Sequence, residues 1–488
     1  MYNSQICDRS SVPQPEYIAK KDRIEYADAT YRINSITQAM IMKDGMTSEQ
    51  SAVTLEQITS LCKRRGFVYQ SAELYGGLNG VYDFGPLGTL LKHNIKNAWI
   101  KALRTNDRQI VLLDGAILGP QAVWKASGHV DSFNDPMVDC LNCKKRYRAD
   151  DGSVDLAKAC PHCGKKSWTD VRQFNMMFKT QVGAAADETS IAYLRPETAQ
   201  TVFVNFKNVM ATTRVKIPFG IAQIGKAFRN EITPKQFLFR MREFEQMELE
   251  WFCKADNALD DFAYWCQQRL TFYTTLGITA SKLRLRPHAP DELAHYSTQC
   301  SDVEYAFPFG WKELEGIAHR GTFDLTQHSQ HAGKDLAVND PITNHSYIPT
   351  IIECSVGVDR LFLTILFDAY YEDMIDDEPR TVLRLSPILA PIKAAFLPLS
   401  KKLNEPMEKL AHQLRMQGYS VEFDDSGSIG KRYRRQDEIG TPFCFTYDFE
   451  SEKDNCVTVR HRDTTQQERI ALDAVERFIY DTCGTPTW

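Results

Sequence analysis

The sequence predicts an α+β protein: an antiparallel-sheet domain with helices, followed by a smaller α/β domain. Three observations carry this. Polar and apolar residues alternate over residues 223–231 and again over 240–250, as in the two strands of a hairpin. Leu87, Leu91, Ile95, Ala98 and Ala102 recur at helical spacing. Beyond the prolines at 387, 391 and 398, short apolar runs alternate with a helical pattern. At 488 residues the chain is long enough for two or three domains with substantial cores.

In chain order, residues 1–50 show no clear period and read as a variable extension, within which Met40, Met42 and Met46 offer alternative starts. Turns at 76–88 lead into the helical pattern. Gly85-Pro86-Leu87-Gly88 lacks the Lys-Ser/Thr ending of a phosphate loop, so on the residues alone this is an ordinary core helix. The larger domain spans 51–385, with an insert at about 138–168. It ends in an acidic stretch at 368–378, and the prolines mark a linker. The smaller domain, 391–488, should contain a strand at 394–399 and a helix carrying Leu403, Met407, Leu410 and Leu414. Strands at 421–423, 444–447 and 457–460 and a closing helix at 469–480 should follow.

Composition limits the function classes. A net charge of -5 gives no overall attraction to nucleic acid, so any such contact needs a local basic patch. No apolar run is long enough to cross a membrane. Asp8, Glu16, Asp22, Glu25 and Asp28 make the N-terminus unlike a signal or acid-poor transit peptide, and a cytoplasmic location is the expectation. Most of the 13 cysteines are scattered, which suits a reducing compartment.

Four are not scattered. Cys140, Cys143, Cys160 and Cys163 form two Cys-x-x-Cys knuckles with the spacing of a four-thiolate zinc site, with a redox pair or four idle thiols as the alternatives. Four thiolates leave no open position, so such a zinc would be structural, and His162 would be a bystander.

The hairpin carries the chemistry. Gln223, Gly225, Ala227, Arg229 and Glu231 share one face of the incoming strand; Arg240, Arg242, Phe244, Gln246, Glu248 and Glu250 share one face of the outgoing strand. Ile224, Phe228, Met241, Met247, Leu249 and Trp251 supply the opposite, apolar face. A solvated face with scattered ion pairs is the simpler reading. Against it, Gly225 and Ala227 beside an arginine are expected to leave room for a ligand, with guanidinium forks for phosphates and one aromatic plate for a base.

This hairpin, Phe228-Arg229-Asn230-Glu231 running on to Arg240-Met241-Arg242-Glu243-Phe244, resembles motif 2 of the class II aminoacyl-tRNA synthetases. Glu353-Cys354-Ser355-Val356-Gly357-Val358-Asp359-Arg360 resembles motif 3. Residues 193–200 (Tyr193 through Gln200), 174–180, 244–248 and Arg286-Pro287-His288 leading to 292–296 are together similar to the dimeric glycyl-tRNA synthetases. The resemblance runs from about Gln57 into the C-terminal region, where residues 391–488 resemble the anticodon-binding domain of the glycyl, histidyl, prolyl and threonyl enzymes. The helix beginning near Leu87 resembles motif 1, which forms a dimer interface in this class, so the resemblance implies a homodimer.

The resemblance implies a glycine-tRNA ligase that uses ATP and Mg²⁺ to form glycyl-adenylate and then charges tRNA(Gly). Arg229 and Arg360 would be the catalytic residues: Arg229 on the α-phosphate, Arg360 on the distal phosphates, with Phe244 against adenine. Asn230, Glu231, Phe239, Arg240, Glu313, Leu314, Gly357 and Asp359 complete the implied ATP site, Glu313 being the contact to magnesium. Glu197, Glu248, Glu353 and Ser355 would surround the glycine ammonium, with Arg148, Phe244 and Gln246 also against glycine. Relatives differ in carrying the four cysteines, so the family leaves the zinc open.

Among the C-terminal residues, Lys431, Arg432, Arg434 and Arg435 flank Tyr433 in the only dense basic run with an aromatic inside it. It is expected to contact tRNA, with a solvated charged face as the alternative. A non-catalytic RNA binder on the same scaffold would be expected to lose Arg229, Glu231 or Arg360, and all three are present. A serine or histidine enzyme would need a pocket polar toward a side chain. The sequence departs from many relatives at Cys354 and Thr201, beside pocket residues, and at Lys235 in the motif 2 loop.

Overall fold

The computed structural model describes residues 53–150, 152, 154–184, 190–234, 236–294, 296–375 and 377–485; the expected extension at 1–50 and Lys235 lie outside them. Thr54 starts helix α1 (Leu55–Arg65) with a capping box shared with Gln57, and Gly66 closes it at φ 73°. Helix α2 (Pro86–Arg104) begins with proline in its first turn. Gly88 is required by packing, because a Cβ there would stand 1.8 Å from the Phe67 carbonyl oxygen. Leu91 and Ile95 are fully buried, and Leu87, Ala98 and Ala102 half-buried, in the central core, so α2 packs as a core helix.

Strand β1 (Ile110–Leu112) precedes an insert built on β2 (Asn134–Asp139), β3 (Arg146–Arg148) and β4 (Arg172–Asn175), in the order β3-β2-β4. Next come α3 (Ala199–Thr213), β5 (Phe219–Phe228), β6 (Glu243–Cys253) and α4 (Ala258–Thr275). The body continues through β7 (Leu283–Pro287), β8 (Gln299–Phe307), β9 (Gly310–Gly321), α5 (Phe323–Ala332), β10 (Thr350–Gly357) and α6 (Val358–Ala369). These strands make a seven-stranded sheet, β7-β8-β9-β10-β6-β5-β1, antiparallel except where β5 meets β1. Period-two alternation sends Met247, Leu249, Trp251, Cys354 and Val356 into one core with α2, α4 and α6. Their neighbours Gln246, Glu248, Glu353 and Ser355 face the other way and line a cavity.

The acidic stretch expected to end the domain is instead an antiparallel hairpin, β11 (Tyr370–Ile375) with β12 (Glu378–Leu383). Arg380 neutralises it from the opposite strand, its Nε 2.8 Å from Asp373 Oδ1. The proline-marked linker is held down, with Leu385, Leu389 and Ala390 buried and Asn94 of α2 donating to the Leu389 and Ala390 carbonyls at 3.0 Å each. The last unit comprises β13 (Ala394–Phe396), α7 (Asn404–Met416), β14 (Val421–Phe423), α8 (Ile429–Ile439), β15 (Phe443–Thr446), β16 (Cys456–His461), β17 (Gln467–Ala471) and α9 (Val475–Cys483). Its sheet order is β14-β13-β15-β16-β17. The closing helix therefore starts later than expected: residues through Ala471 pair with β16, and only from Val475 does the apolar period become helical. Among the described residues no helix is long and apolar enough to cross a membrane.

Candidate active site and accessory sites

A cavity of about 370 Å³ opens on the polar face of β6, β9 and β10, roofed by the loop between β5 and β6. The hairpin register pairs Gly225 with Gln246 and Ala227 with Phe244, and β6 pairs with β10 so that Glu248 faces Ser355 and Glu250 faces Glu353. Regular pairing stops at Phe228 and Glu243. Arg229, Asn230, Glu231, Phe239 and Arg240 therefore sit in the connecting loop rather than on the strands expected for them, tied at its base by Arg229 N–H donating to Arg242 O at 2.9 Å.

The expected room at Gly225 is taken by the protein itself. A Cβ at Gly225 would meet Arg195 Nη2 at 2.0 Å, and Arg195 is anchored there by donating to the Lys226 and Gly115 carbonyls at 2.6 and 2.7 Å. The small residue admits a buried arginine, not a ligand.

One end of the cavity is basic. Arg229 Nε donates to Pro196 O at 3.0 Å, and its guanidinium lies 5.4 Å from the Phe244 ring centre. Arg360, at the start of α6, packs over Phe239 at 4.6 Å and donates to Glu313 Oε1 at 2.9 Å. The positive charge of Arg360 holds the Glu313 carboxyl below its ordinary range. Glu231 is nearly buried with Oε2 unpartnered; burial raises its pKa, and Arg240 and Arg229 only partly offset that.

Three expected ATP contacts are placed differently. Asn230 does not line the cavity. Leu314 points its side chain into the core, because it alternates with Glu313 along β9, so only its backbone is available. Asp359 lines the cavity, but its oxygens accept from Lys92 Nζ at 2.5 Å and Glu245 N–H at 2.7 Å, making it an anchor between α2, β6 and α6.

The other end is acidic. Glu248 accepts from Ser355 Oγ at 2.6 Å, Gln246 Nε2 at 3.0 Å and Thr198 N–H at 2.9 Å, and burial with the Glu197 charge beside it raises its pKa. Glu197 is buried, which pushes its pKa up. His129 Nε2 at 3.3 Å, Arg320 and Gln200 Nε2 at 3.0 Å outweigh that and hold it below the usual carboxylate range. Glu353, 7% exposed, accepts from Arg320 Nη1 at 3.0 and 3.1 Å, and burial raises it to about 7 against that arginine. Phe244, Gln246, Gly357 and Ser355 also line the cavity.

Arg148, expected against glycine, is outside the cavity lining, on β3, paired with Asp135 at 3.0 Å and Asp150 at 2.9 Å. Arg320, Asp302 and Cys300 were not expected, and Glu250, expected on the polar face of its strand, was not expected as a site residue. Arg320 is 2% exposed and joins Glu353 to Asp324, its Nε 2.8 Å from Asp324 Oδ2. The signal for it was the alternation Gly316, Ala318, Arg320, small residues on the cavity face leading to one large cation. Glu250 is fully buried with both oxygens unpartnered, and burial and neighbouring Glu353 push its pKa well up.

At the insert, the ligand atoms of Cys140, Cys143, Cys160 and Cys163 all lie within 4.8 Å of one another, with Sγ–Sγ distances of 3.6 Å for Cys140–Cys163 and 3.8 Å for Cys143–Cys160. Neither is a disulfide, whose sulfurs stand about 2.05 Å apart. A zinc with ~2.3 Å Zn–S bonds sets its four sulfurs about 3.8 Å apart, so the cluster fits that ion. Each knuckle turns on a left-handed residue, Lys144 at φ 58° and Gly164 at φ 70°.

The C-terminal basic run forms the first turns of α8, and much of it is already engaged. Arg432 is 3% exposed and donates to the Pro398 and Asp424 carbonyls at 2.7 and 3.0 Å, so it is not available to RNA as expected. Arg435 donates to Ser426 O at 2.6 Å and pairs with Asp424, and Arg434 reaches Ile375 O at 3.3 Å. Tyr433 is held by Thr446 at 2.7 Å with Arg460 over its ring at 4.8 Å, so it is not a free stacking plate. Lys431 is exposed. The far end of α8 clamps the two units together, with Asp437 accepting from Arg380 and Arg460 and Glu438 from Arg64 and Arg65.

Comparison with known proteins follows this division. Residues 393–482 match the anticodon binding domain family. The chain is 51% identical over 452 residues to a glycine--tRNA ligase of Caldanaerobacter subterraneus subsp. tengcongensis, covering 88% of this chain and 98% of that one. It is 51% identical over 458 residues to the glycine--tRNA ligase of Geobacillus thermodenitrificans, with the same coverage. A prolyl-tRNA synthetase from Cryptosporidium parvum, solved with L-proline and AMP, superposes with a TM-score of 0.60 at 12% identity. It covers 90% of this chain and 78% of its own, which shows the shared class II fold. With half its residues identical to curated relatives over nearly their whole length, the chain belongs to the glycine--tRNA ligase family of aminoacyl-tRNA synthetases.

Proposed function

We propose that the cavity binds ATP at its arginine end and glycine at its carboxylate end, forms glycyl-adenylate and pyrophosphate, and passes the glycyl group to the 3′ end of tRNA(Gly). The observation that carries this is the convergence of Glu197, Glu248 and Glu353 with Arg229 and Arg360 in one cavity. A cluster of acids alone would repel itself; an incoming ammonium relieves it. No protein nucleophile is required. The glycine carboxylate oxygen bonds to the α-phosphorus, the bond to the bridging oxygen breaks, and pyrophosphate leaves. A ribose hydroxyl of the tRNA end then takes the glycyl carbonyl, and AMP leaves.

Catalysis in this reading is alignment and charge neutralisation. Arg229 neutralises charge at the α-phosphate and packs beside Phe244, which takes adenine. Arg360 exchanges its pairing with Glu313 for the distal phosphates, freeing Glu313 as a carboxylate for Mg²⁺. Glu231 and Arg240 complete the ATP side, and Phe239 backs Arg360. Ser355, Gln246 and Glu248 form one hydrogen-bonded set around the ammonium. Glycine offers no side chain to grip, so selection is by exclusion. Pyrophosphate exchange tested against the common amino acids decides the reading: glycine alone should support it, and equal exchange with alanine or serine would refute it.

The four thiolates at 140, 143, 160 and 163 would hold a structural zinc that pins the insert. A homodimer is supported by the family resemblance and by Leu74 and Tyr75, each 90% exposed ahead of α2. A cytoplasmic setting agrees with free thiols at every described cysteine. For tRNA, Lys431 and the parts of Arg434 and Arg435 that remain accessible are the contacts left in the basic run.

A further inference from the structure

His288, Cys300 and Asp302 form a second group whose ligand atoms all lie within 4.8 Å of one another, separate from the four-cysteine cluster. Cys300 and Asp302 are two residues apart and share one face of β8; both line the active-site cavity. His288 follows the last residue of β7 and is fixed against the same strand by donating its backbone N–H to Cys300 O at 2.9 Å. Two of the three ligands are thus carried on one strand and the third is tied to that strand through its backbone, a placement that keeps a metal site in register. Opposite them, Gly316 leaves open space: a Cβ there would meet nothing nearer than Asp302 Oδ1 at 4.0 Å.

We propose that His288, Cys300 and Asp302 bind a thiophilic divalent cation, Zn²⁺ being the natural case, on the floor of the active-site cavity, and that the bound ion inhibits glycine activation. Nitrogen, thiolate and carboxylate ligands with a fourth position open to a cavity are what a zinc takes when it is not sealed in. Bonds of ~2.0 Å to N and O and ~2.3 Å to S put ligand atoms about 3.3–3.6 Å apart, and both the 4.8 Å limit of the group and the 2.8 Å His288–Asp302 pair lie within about 1.5 Å of that spacing. The cost is local. His288 Nε2 now sits 2.8 Å from Asp302 Oδ2, and both would turn to the ion. Arg286, 3.1 Å from Asp302, keeps Glu304 and Glu292 as partners when Asp302 is taken. Hard, strongly hydrated Mg²⁺ has no use for the thiolate, so the site discriminates between the reaction's magnesium and the inhibitor.

The inhibitory half of this inference rests on reading the cavity as the glycine–ATP site; the binding half does not. The test uses the full-length protein loaded with one zinc per chain and titrated with Co²⁺. One further equivalent should bind with a thiolate-to-cobalt charge-transfer absorption. Cys300→Ser should abolish that absorption, and His288→Asn should weaken binding at least tenfold. Zn²⁺ added to glycine-dependent pyrophosphate exchange at saturating Mg²⁺ should inhibit the native protein at concentrations at least tenfold below those needed for Cys300→Ser. Absence of the extra cobalt equivalent, or the same absorption in Cys300→Ser, overturns the site. Cobalt binding with zinc inhibition unaltered by Cys300→Ser overturns the inhibition alone. Exchange that does not depend on glycine would instead count against the active-site reading.

Discussion

Glycine capture should depend on pH through Glu353. Its carboxyl is buried on β10 beside Glu250 and raised to about 7 even though Arg320 contacts both of its oxygens. The form that holds an ammonium is the carboxylate, so an acid with a raised pKa is inactive below that value and active above it. With a midpoint of about 7, roughly one molecule in ten carries the carboxylate at pH 6 and nine in ten at pH 8. The kcat/KM for glycine should therefore rise about tenfold from pH 6 to pH 8 and level off above, since kcat/KM reports the free enzyme's ionisations. The assay is pyrophosphate exchange at subsaturating glycine and saturating MgATP. Glu353→Gln should lie at least a hundredfold lower at pH 8 and lose the rise, because an amide offers the ammonium neither charge nor titration. A flat native profile between pH 6 and pH 8, or an unchanged rise in Glu353→Gln, would refute the reasoning.

Other expectations are as specific. Arg229→Lys should lower glycine-dependent exchange by about a hundredfold or more with an unchanged circular dichroism spectrum, because a point charge cannot replace the planar fork at the α-phosphate. Metal analysis of freshly purified protein should find about one zinc per chain, and Cys140→Ser should lose it and unfold at lower denaturant. Arg432→Ala should cost about 1–3 kcal/mol in denaturant unfolding by stranding the Pro398 and Asp424 carbonyls. Lys431→Ala should leave stability alone and reduce the salt dependence of tRNA binding by about one unit. Arg320→Met should be more damaging, about 3–5 kcal/mol, since Glu353 and Asp324 would be left buried without a counter-charge.

What the sequence made legible follows from periodicity. Alternation along 243–253 separated Met247, Leu249 and Trp251 from Gln246 and Glu248 correctly, because a strand has only two faces and one of them is core. The same rule should have moved Leu314 out of the site, since its neighbour Glu313 already held the cavity face. Gly225 misled because a missing side chain marks close approach without saying what approaches, and here it is Arg195. The basic run misled for a related reason: charge density does not reveal that Arg432 spends its donors on carbonyls inside its own domain. Arg320, Glu250 and His288 were invisible as a group with their partners because contacts between strands distant in sequence leave no local pattern. The acidic stretch at 368–378 hid a hairpin whose counter-charges, Arg380 above all, come from its second strand and complete its link to α8 through Asp437.

The most direct test of the site as a whole is a crystal structure of the protein with a non-hydrolysable glycyl-adenylate analogue. The adenine should lie against the Phe244 ring, the phosphate mimic within hydrogen-bond reach of Arg229, and the ammonium among Glu248, Glu353 and Ser355. An analogue bound outside this cavity, or one whose ammonium touches none of those three side chains, would contradict the assignment.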